Sequence, residues 1–172
     1  MLSWVFGKQF DNLKFLSDRD FLTKLYTRRY VYNVFPKLLK TNENIGVLVL
    51  DINNFKKIND KHGHEYGDKT LQIVSKIILS SVRKTDIVAR WGGDEFLVIC
   101  PKADKDETKK ILSRVIEDKY GTNIGLSAGM ALFPYDGETL DKLINAADRK
   151  MYKSKDINKS CICAYEDFEL VH

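Results

Sequence analysis

The sequence predicts an α+β fold in which hairpin-joined antiparallel strands mix with crossover helices, a sheet of the split βαβ or ferredoxin-like type with helices on its faces. Three observations predict it. Residues 45–52 (IGVLVLDI) are a nearly continuous apolar, β-branched run, as a strand buried on both faces requires. Residues 86–90 and 96–100 are short strand patterns flanking Gly92-Gly93, which reads as a hairpin with a tight glycine turn. Helical periodicities separate and follow these strands.

The elements follow in order. Phe6, Phe10 and Leu13 fall at i, i+4 and i+7, one face of a short amphipathic helix, so residues 1–19 read as a helical lead-in and residues 20–172 as the domain proper. Asp20 opens a long helical pattern through Leu22, Leu25, Tyr30, Val34 and Leu38, with a break expected near Pro36. After the 45–52 strand come a short helix over 55–60, Gly63-His64, and a helix over 68–82 carrying Leu71, Val74, Ile77 and Ile78. Beyond the hairpin the pattern gives a helix over 108–119, a strand over 124–133, a helix over 140–154 and a final strand over 160–165. The sheet edge where the loops gather is expected to hold the site.

Composition narrows the function. At 172 residues with 44% hydrophobic, the chain suits one domain that can bury most of its apolar surface. Lys and Arg number 28 against 24 Asp and Glu, a net +4 that is spread along the chain and favours a small anionic ligand over nucleic acid. The three cysteines, Cys100, Cys161 and Cys163, lack metal or redox spacing, which makes a reducing cytoplasm the default. No apolar stretch approaches the ~20 residues of a membrane span, and the opening lacks a secretory signal. The expected location is the cytoplasm, for a free protein or for the output domain of a membrane-bound parent.

The chemistry gathers at three carboxylates. Asp51 ends the buried strand and Asp94-Glu95 sits at the hairpin tip, which a neighbouring strand would bring beside it. Carboxylates converging on one sheet edge either repel or bind a cation. Magnesium takes hard oxygen ligands, usually one or two carboxylates plus substrate phosphates, so the set suits a nucleoside triphosphate. A plainer reading stands beside this one, with Asp51 capping the next helix and Asp94 making the turn. His62 and His64 lack a third metal partner and read as turn or capping residues, and Trp91 reads as packing.

The stretch Arg90-Trp91-Gly92-Gly93-Asp94-Glu95-Phe96 resembles the signature of the GGDEF family. The segment Asp20 to Arg29 (DFLTKLYTRR) is similar to that family's D-x-L-T-G-L-x-N-R-R opening. Asp51 to Asp60 (DINNFKKIND), with Gly63-His64 and Gly67-Asp68, resembles its D-x-D-x-F-K-x-x-N-D and G-H-x-x-G-D segment. Ser127-Ala128-Gly129, Ala147-Asp148 and Tyr152 to Lys155 resemble its closing pieces, so the likeness runs over about residues 20–160 in order and spacing.

The resemblance implies a palm-like fold of the nucleotide cyclase type and a diguanylate cyclase, which condenses two GTP into cyclic di-GMP and releases pyrophosphate. By position, Asp51, Asp94 and the carbonyl of Ile52 match the ligands of two magnesium ions, with manganese an alternative. Glu95 matches a carboxylate that helps deprotonate the attacking hydroxyl or supports the metals. Asn59 and Asp68 match the pair that reads guanine, Phe55 and Lys56 lie at the triphosphate, and Lys155 and Lys159 match a basic pair on the β- and γ-phosphates. Gly92 and Gly93 let backbone approach the ligand. Each domain of the family binds one GTP, which implies a homodimer and leaves room for fusion to a sensor domain. Arg83 and Asp86 match the family's R-x-x-D product-inhibition site; as residues alone they equally suit a helix end and a strand start.

Several positions depart from the family pattern. Lys24 stands for glycine and Thr27 for asparagine, which bears on the opening turn. Asn53 stands for a second aspartate, removing a negative charge near the metals and weakening magnesium binding on expectation. Lys159 offers a point charge where the family has arginine's planar fork. These departures motivate an alternative function, a non-catalytic receptor for cyclic di-GMP or GTP on the same fold; a pure interaction module is a third reading, against which the intact acidic and guanine set argues.

Overall fold

The computed structural model describes residues 18–117, 122 and 124–157. The expected lead-in helix over 1–19, all but its last two residues, and the expected strand over 160–165 lie outside the described residues. Element order is β1 (Tyr26–Thr27), α1 (Arg28–Thr41), β2 (Ile45–Ile52), α2 (Phe55–His62), α3 (His64–Ser81), β3 (Ile87–Arg90), β4 (Glu95–Pro101), α4 (Lys105–Ile116), β5 (Leu126–Phe133) and α5 (Leu140–Ile157). The described strands form one mixed sheet in the order β1-β3-β4-β2-β5. β1 runs parallel to β3, and every other pairing is antiparallel. This is the α+β architecture the sequence predicts.

β2 is the middle of the molecule, and its continuous apolar run reflects burial on both faces. Leu48, Leu50 and Ile52 point into one core with Leu71, Val74 and Ile78 of α3 and Ile111, Leu112 and Val115 of α4. Ile45, Val47 and Val49 point into a second core with Val31 and Phe35 of α1 and Leu143, Ala147 and Met151 of α5. The result is a sheet between two helical layers. α5 lies directly on β5, because a Cβ on Gly129 would collide with the carbonyl of Ala147 and the amide of Met151. Cys100 is buried in the first core, and burial pushes its thiol well above the ordinary range, which leaves it inert.

The start of the domain differs from the expected long helix. Asp20 does not open it: its carboxylate accepts from the amide (2.8 Å) and hydroxyl (2.6 Å) of Thr23, and its carbonyl accepts from the amide of Lys24 (2.9 Å). These local bonds compete with helix and close a turn instead. Lys24 adopts a left-handed φ of 61°, where glycine is the usual choice, and Leu25 then leads into β1. The helix begins only at Arg28, capped by the Thr27 hydroxyl accepting from the Tyr30 amide (3.4 Å). Threonine thus does the capping that asparagine would do.

The break expected near Pro36 does not occur, since α1 runs through it. Pro36 stands on the exposed face, while Val31 and Phe35 anchor the other face in the core, so packing holds the helix together through the proline. Elsewhere the differences are at boundaries. α2 extends to His62, α3 starts one turn earlier than its apolar residues imply, and α4 starts at Lys105 because Asp104 and Glu107 form a reciprocal capping box.

Candidate active site

The register of the sheet assembles the acidic residues. In β2, Asp51 stands opposite Glu95 of β4 on one side and Ser127 of β5 on the other, at the end of the sheet where the hairpin turns. The amide of Ile52 donates to the carbonyl of Asp94 (3.3 Å), which holds the hairpin tip against the end of β2. Asp51, Asp94 and Glu95 are all half-buried. Within the turn the amides of Trp91 (2.8 Å) and Gly92 (3.3 Å) both donate to the Glu95 carbonyl. The Glu95 carboxylate folds over Gly92, into space a Cβ would need, whereas Gly93 faces open space. The missing Cβ of Gly92 thus leaves room for the Glu95 carboxylate.

The hairpin is held from behind by a link that sequence reasoning missed. Arg90 donates to the carbonyl of Gly93 through Nε (3.3 Å) and Nη2 (2.8 Å), and through Nη1 to both carboxylate oxygens of Asp20 (3.3 and 3.4 Å). Burial works against the charge on Asp20, but the Thr23 hydroxyl and amide and the Arg90 guanidinium outweigh it and hold the carboxyl below its ordinary value. Trp91 packs beside Tyr32 of α1 with the Arg28 guanidinium 4.7 Å from its ring, so the expected packing role fits what surrounds it.

The residues expected at guanine and triphosphate lie on α2 and α3. Phe55 and Lys56 form the first turn of α2; Phe55 is packed partly into the core and Lys56 is exposed. Asn59 follows one turn later, and its side-chain oxygen is buried without a hydrogen-bond partner. A buried acceptor left unpaired costs about 1–3 kcal/mol, so it marks a place where a donor is wanted. Gly67 of α3 lies so close to that amide that a Cβ there would occupy the same space. The exposed Asp68 follows Gly67 directly. Lys155 belongs to α5, but its side chain is outside the described residues, as is all of Lys159.

Asn53 points to the neighbouring strand. Its side-chain oxygen accepts from the Ser127 hydroxyl, while its main-chain amide donates to the Gly125 carbonyl (2.9 Å), tying the end of β2 to the start of β5. Asparagine thus has a structural partner here that the substitution alone did not reveal.

The donor set at Asp51, Asp94 and the Ile52 backbone is all oxygen. Among the described residues no group of three or more His, Cys, Asp or Glu could by itself hold a metal. Oxygen donors suit magnesium, which keeps water and substrate phosphates as ligands and needs only one or two carboxylates from the protein. A groove of about 470 Å³ lined by Asn44, Asp104, Lys105, Leu132, Tyr135 and Asp136 lies at the opposite end of β2 and contains none of these residues.

Arg83 and Asp86 are not brought to this cluster. They form a tight turn between α3 and β3, in which the Arg83 amide donates to the Asp86 carboxylate (2.8 Å) and the Asp86 amide to the Arg83 carbonyl (3.0 Å). Burial, opposed by the Arg83 amide and the Arg83 and Arg114 charges, leaves the Asp86 carboxyl above its ordinary value, and one of its oxygens has no hydrogen-bond partner. The Arg83 guanidinium donates to Glu107 of α4 (2.8 Å). Glu107 and Arg114, both on α4, are additions to this patch that the R-x-x-D spacing could not signal.

A family model described as the diguanylate cyclase GGDEF domain matches residues 17–161, taking in every element described above. The chain belongs to the GGDEF family. Among curated relatives, this GGDEF domain is 36% identical over 149 residues to the diguanylate cyclase DosC of Escherichia coli, covering 79% of the chain and 32% of DosC. It is 33% identical over 165 residues to the cyclic di-GMP phosphodiesterase PdeR of the same organism, covering 90% of the chain and 25% of PdeR. The chain therefore spans no more than about a third of the length of either relative. Among solved structures, the coiled coil and GGDEF domain of DgcB from Caulobacter crescentus, in complex with c-di-GMP, superposes with a TM-score of 0.81 at 24% identity, over 91% of this chain and 90% of that one. That likeness shows the fold. Among the described residues, no helix of the GGDEF domain is long and apolar enough to cross a membrane.

Proposed function

We propose that this GGDEF domain is a diguanylate cyclase that joins two GTP molecules into cyclic di-GMP. The observation that carries the reading is the meeting of Asp51 with Asp94-Glu95 at one end of the sheet, next to helices that present the unpaired Asn59 oxygen and Asp68.

In this reading Asp51, Asp94 and the Ile52 carbonyl hold two magnesium ions, or manganese in their place. Bound there, such ions would neutralise the triphosphate and stabilise the leaving pyrophosphate. Glu95 assists removal of the proton from the ribose 3′-hydroxyl that attacks the α-phosphorus of the other GTP. Asn59 and Asp68 bind guanine: the Asp68 carboxylate accepts from N1–H and the exocyclic amine, and the Asn59 oxygen gains the donor it lacks. Phe55 and Lys56 orient the triphosphate, and Lys155 and Lys159 neutralise its outer phosphates. Positioning and charge neutralisation supply most of the catalysis in such a displacement.

Each domain supplies half a site, so the active unit is a homodimer, with residues 1–19 as a lead-in to a domain over 20–172. Arg83 and Asp86 bind the product and inhibit the enzyme. The reading places the protein in the cytoplasm, alone or as the output of a longer sensor.

The test is to incubate the purified full chain with GTP and magnesium and separate the products by chromatography. Cyclic di-GMP and pyrophosphate are expected, with specific activity rising as protein concentration drives pairing. Unchanged GTP, with cyclic di-GMP bound tightly, would make the domain a receptor and overturn the cyclase. A mixture of GTP and ATP should give cyclic di-GMP alone, because adenine leaves the Asp68 charge unpaired.

A further inference from the structure

We propose that Glu107 gates the Arg83–Asp86 site by competing with the phosphates of a cyclic dinucleotide for the Arg83 guanidinium. The inference rests on the product-site reading above and adds what sets the affinity of that site.

Four observations carry it. The Arg83 guanidinium donates to Glu107 Oε1 at 2.8 Å, which is the distance and geometry a phosphate oxygen would take. The Arg83 main-chain amide is held by Asp86, so the side chain is what this arginine can offer a ligand. Glu107 does not swing freely: its Oε2 accepts from the Asp104 amide (3.4 Å) in the capping box that starts α4, so its carboxylate is kept beside Arg83. Both partners are open to solvent, with side-chain exposures of 41% and 38%, so the pair is weak enough to be broken.

An arriving dinucleotide must therefore exchange a carboxylate for a phosphate on Arg83 and accept a negative charge next to its own. Arg114, close enough to act on the Asp86 carboxyl, offsets part of that charge. A site without the Glu107 charge would fill at lower product concentration. Glu107 thus raises the level at which product binding begins.

Glu107→Gln is the informative variant, because glutamine still serves a capping box while losing the charge. Calorimetric titration of the full chain with cyclic di-GMP should show about fivefold tighter binding for Glu107→Gln than for the unmodified protein, the scale of an exposed ion pair. Glu107→Ala, which also loses the cap, should bind more tightly too, though it melts earlier. Arg83→Ala should lose binding whichever residue stands at 107. Binding by the unmodified protein that Arg83→Ala removes and Glu107→Gln leaves equal or weaker would overturn the gate and keep the product site. Absence of binding to all variants, with each folded by thermal melting, would overturn both.

Discussion

Arg90 holds Asp20 across 70 residues of sequence with one guanidinium nitrogen while its other two grip the carbonyl of Gly93. The first turn of the described chain is thereby fastened to the turn that carries Asp94.

The first prediction tests that link. Asp20→Asn removes the charge that meets Arg90 and should lower stability by about 2 kcal/mol at neutral pH, the scale of a hydrogen-bonded charge. The pH dependence has a fixed sign. Because the folded carboxyl lies below its ordinary value of 3.8, its contribution is complete above that value and is lost as pH falls through the lower folded value. Denaturant melts of both proteins at pH 7 and pH 2.5 check it; the gap should be wider at the first than at the second. Cyclase activity should fall with the loosened Gly93 carbonyl.

Asp94→Ala separates chemistry from fold. Asp94 lies in the hairpin turn, outside both cores, so the melting temperature should change by no more than a few degrees. Turnover of GTP should drop by a factor of ~10³ or more, as expected when a ligand of the ions that neutralise charge in phosphoryl transfer is lost. Product formation at the unmodified rate by a folded variant would remove Asp94 from the metal site.

Gly67→Ala probes guanine binding without touching an acid. The new Cβ needs the space of the Asn59 side-chain oxygen, so Asn59 must turn away. KM for GTP should rise tenfold or more, about the effect of losing one buried hydrogen bond, while the hairpin stays intact. Steady-state kinetics decides it: a fall in kcat with KM unchanged would place Asn59 away from the base.

Lys24→Gly should stabilise the protein. Lys24 sits at φ 61°, a conformation that costs a side-chain-bearing residue roughly 1–2 kcal/mol and glycine almost nothing. Glycine's freedom in the unfolded chain takes back part of that gain. A net increase of about 1 kcal/mol is expected in urea melts, with no change in activity.

Much of this was legible before any coordinates. The 45–52 strand announced its double burial through eight residues with no alternation, and Gly92-Gly93 between two strand patterns announced the hairpin. Together they place Asp51 beside Asp94-Glu95. The opening turn was misread because Leu22, Leu25 and Tyr30 keep helical spacing although Asp20 and Thr23 satisfy each other locally, and periodicity carries no information on side-chain bonds. The Asn53–Ser127, Arg90–Asp20 and Arg83–Glu107 pairs were illegible for a simpler reason: each joins elements distant in sequence, and only the completed sheet brings them together.

β3 has four residues, Ile87–Arg90, and its two ends adjoin the Asp86 turn and the signature hairpin. The interval between them works as a ruler of about 13 Å, at the rise of an extended chain. Its length cannot drift. Inserting or deleting a single residue there would turn Val88, now in one core, and Ala89, now in the other, to the wrong faces. A loop has no such register to keep, whereas the count of residues from Asp86 to Gly92 is set by the sheet, and a change of one there should cost the fold both of its cores at once.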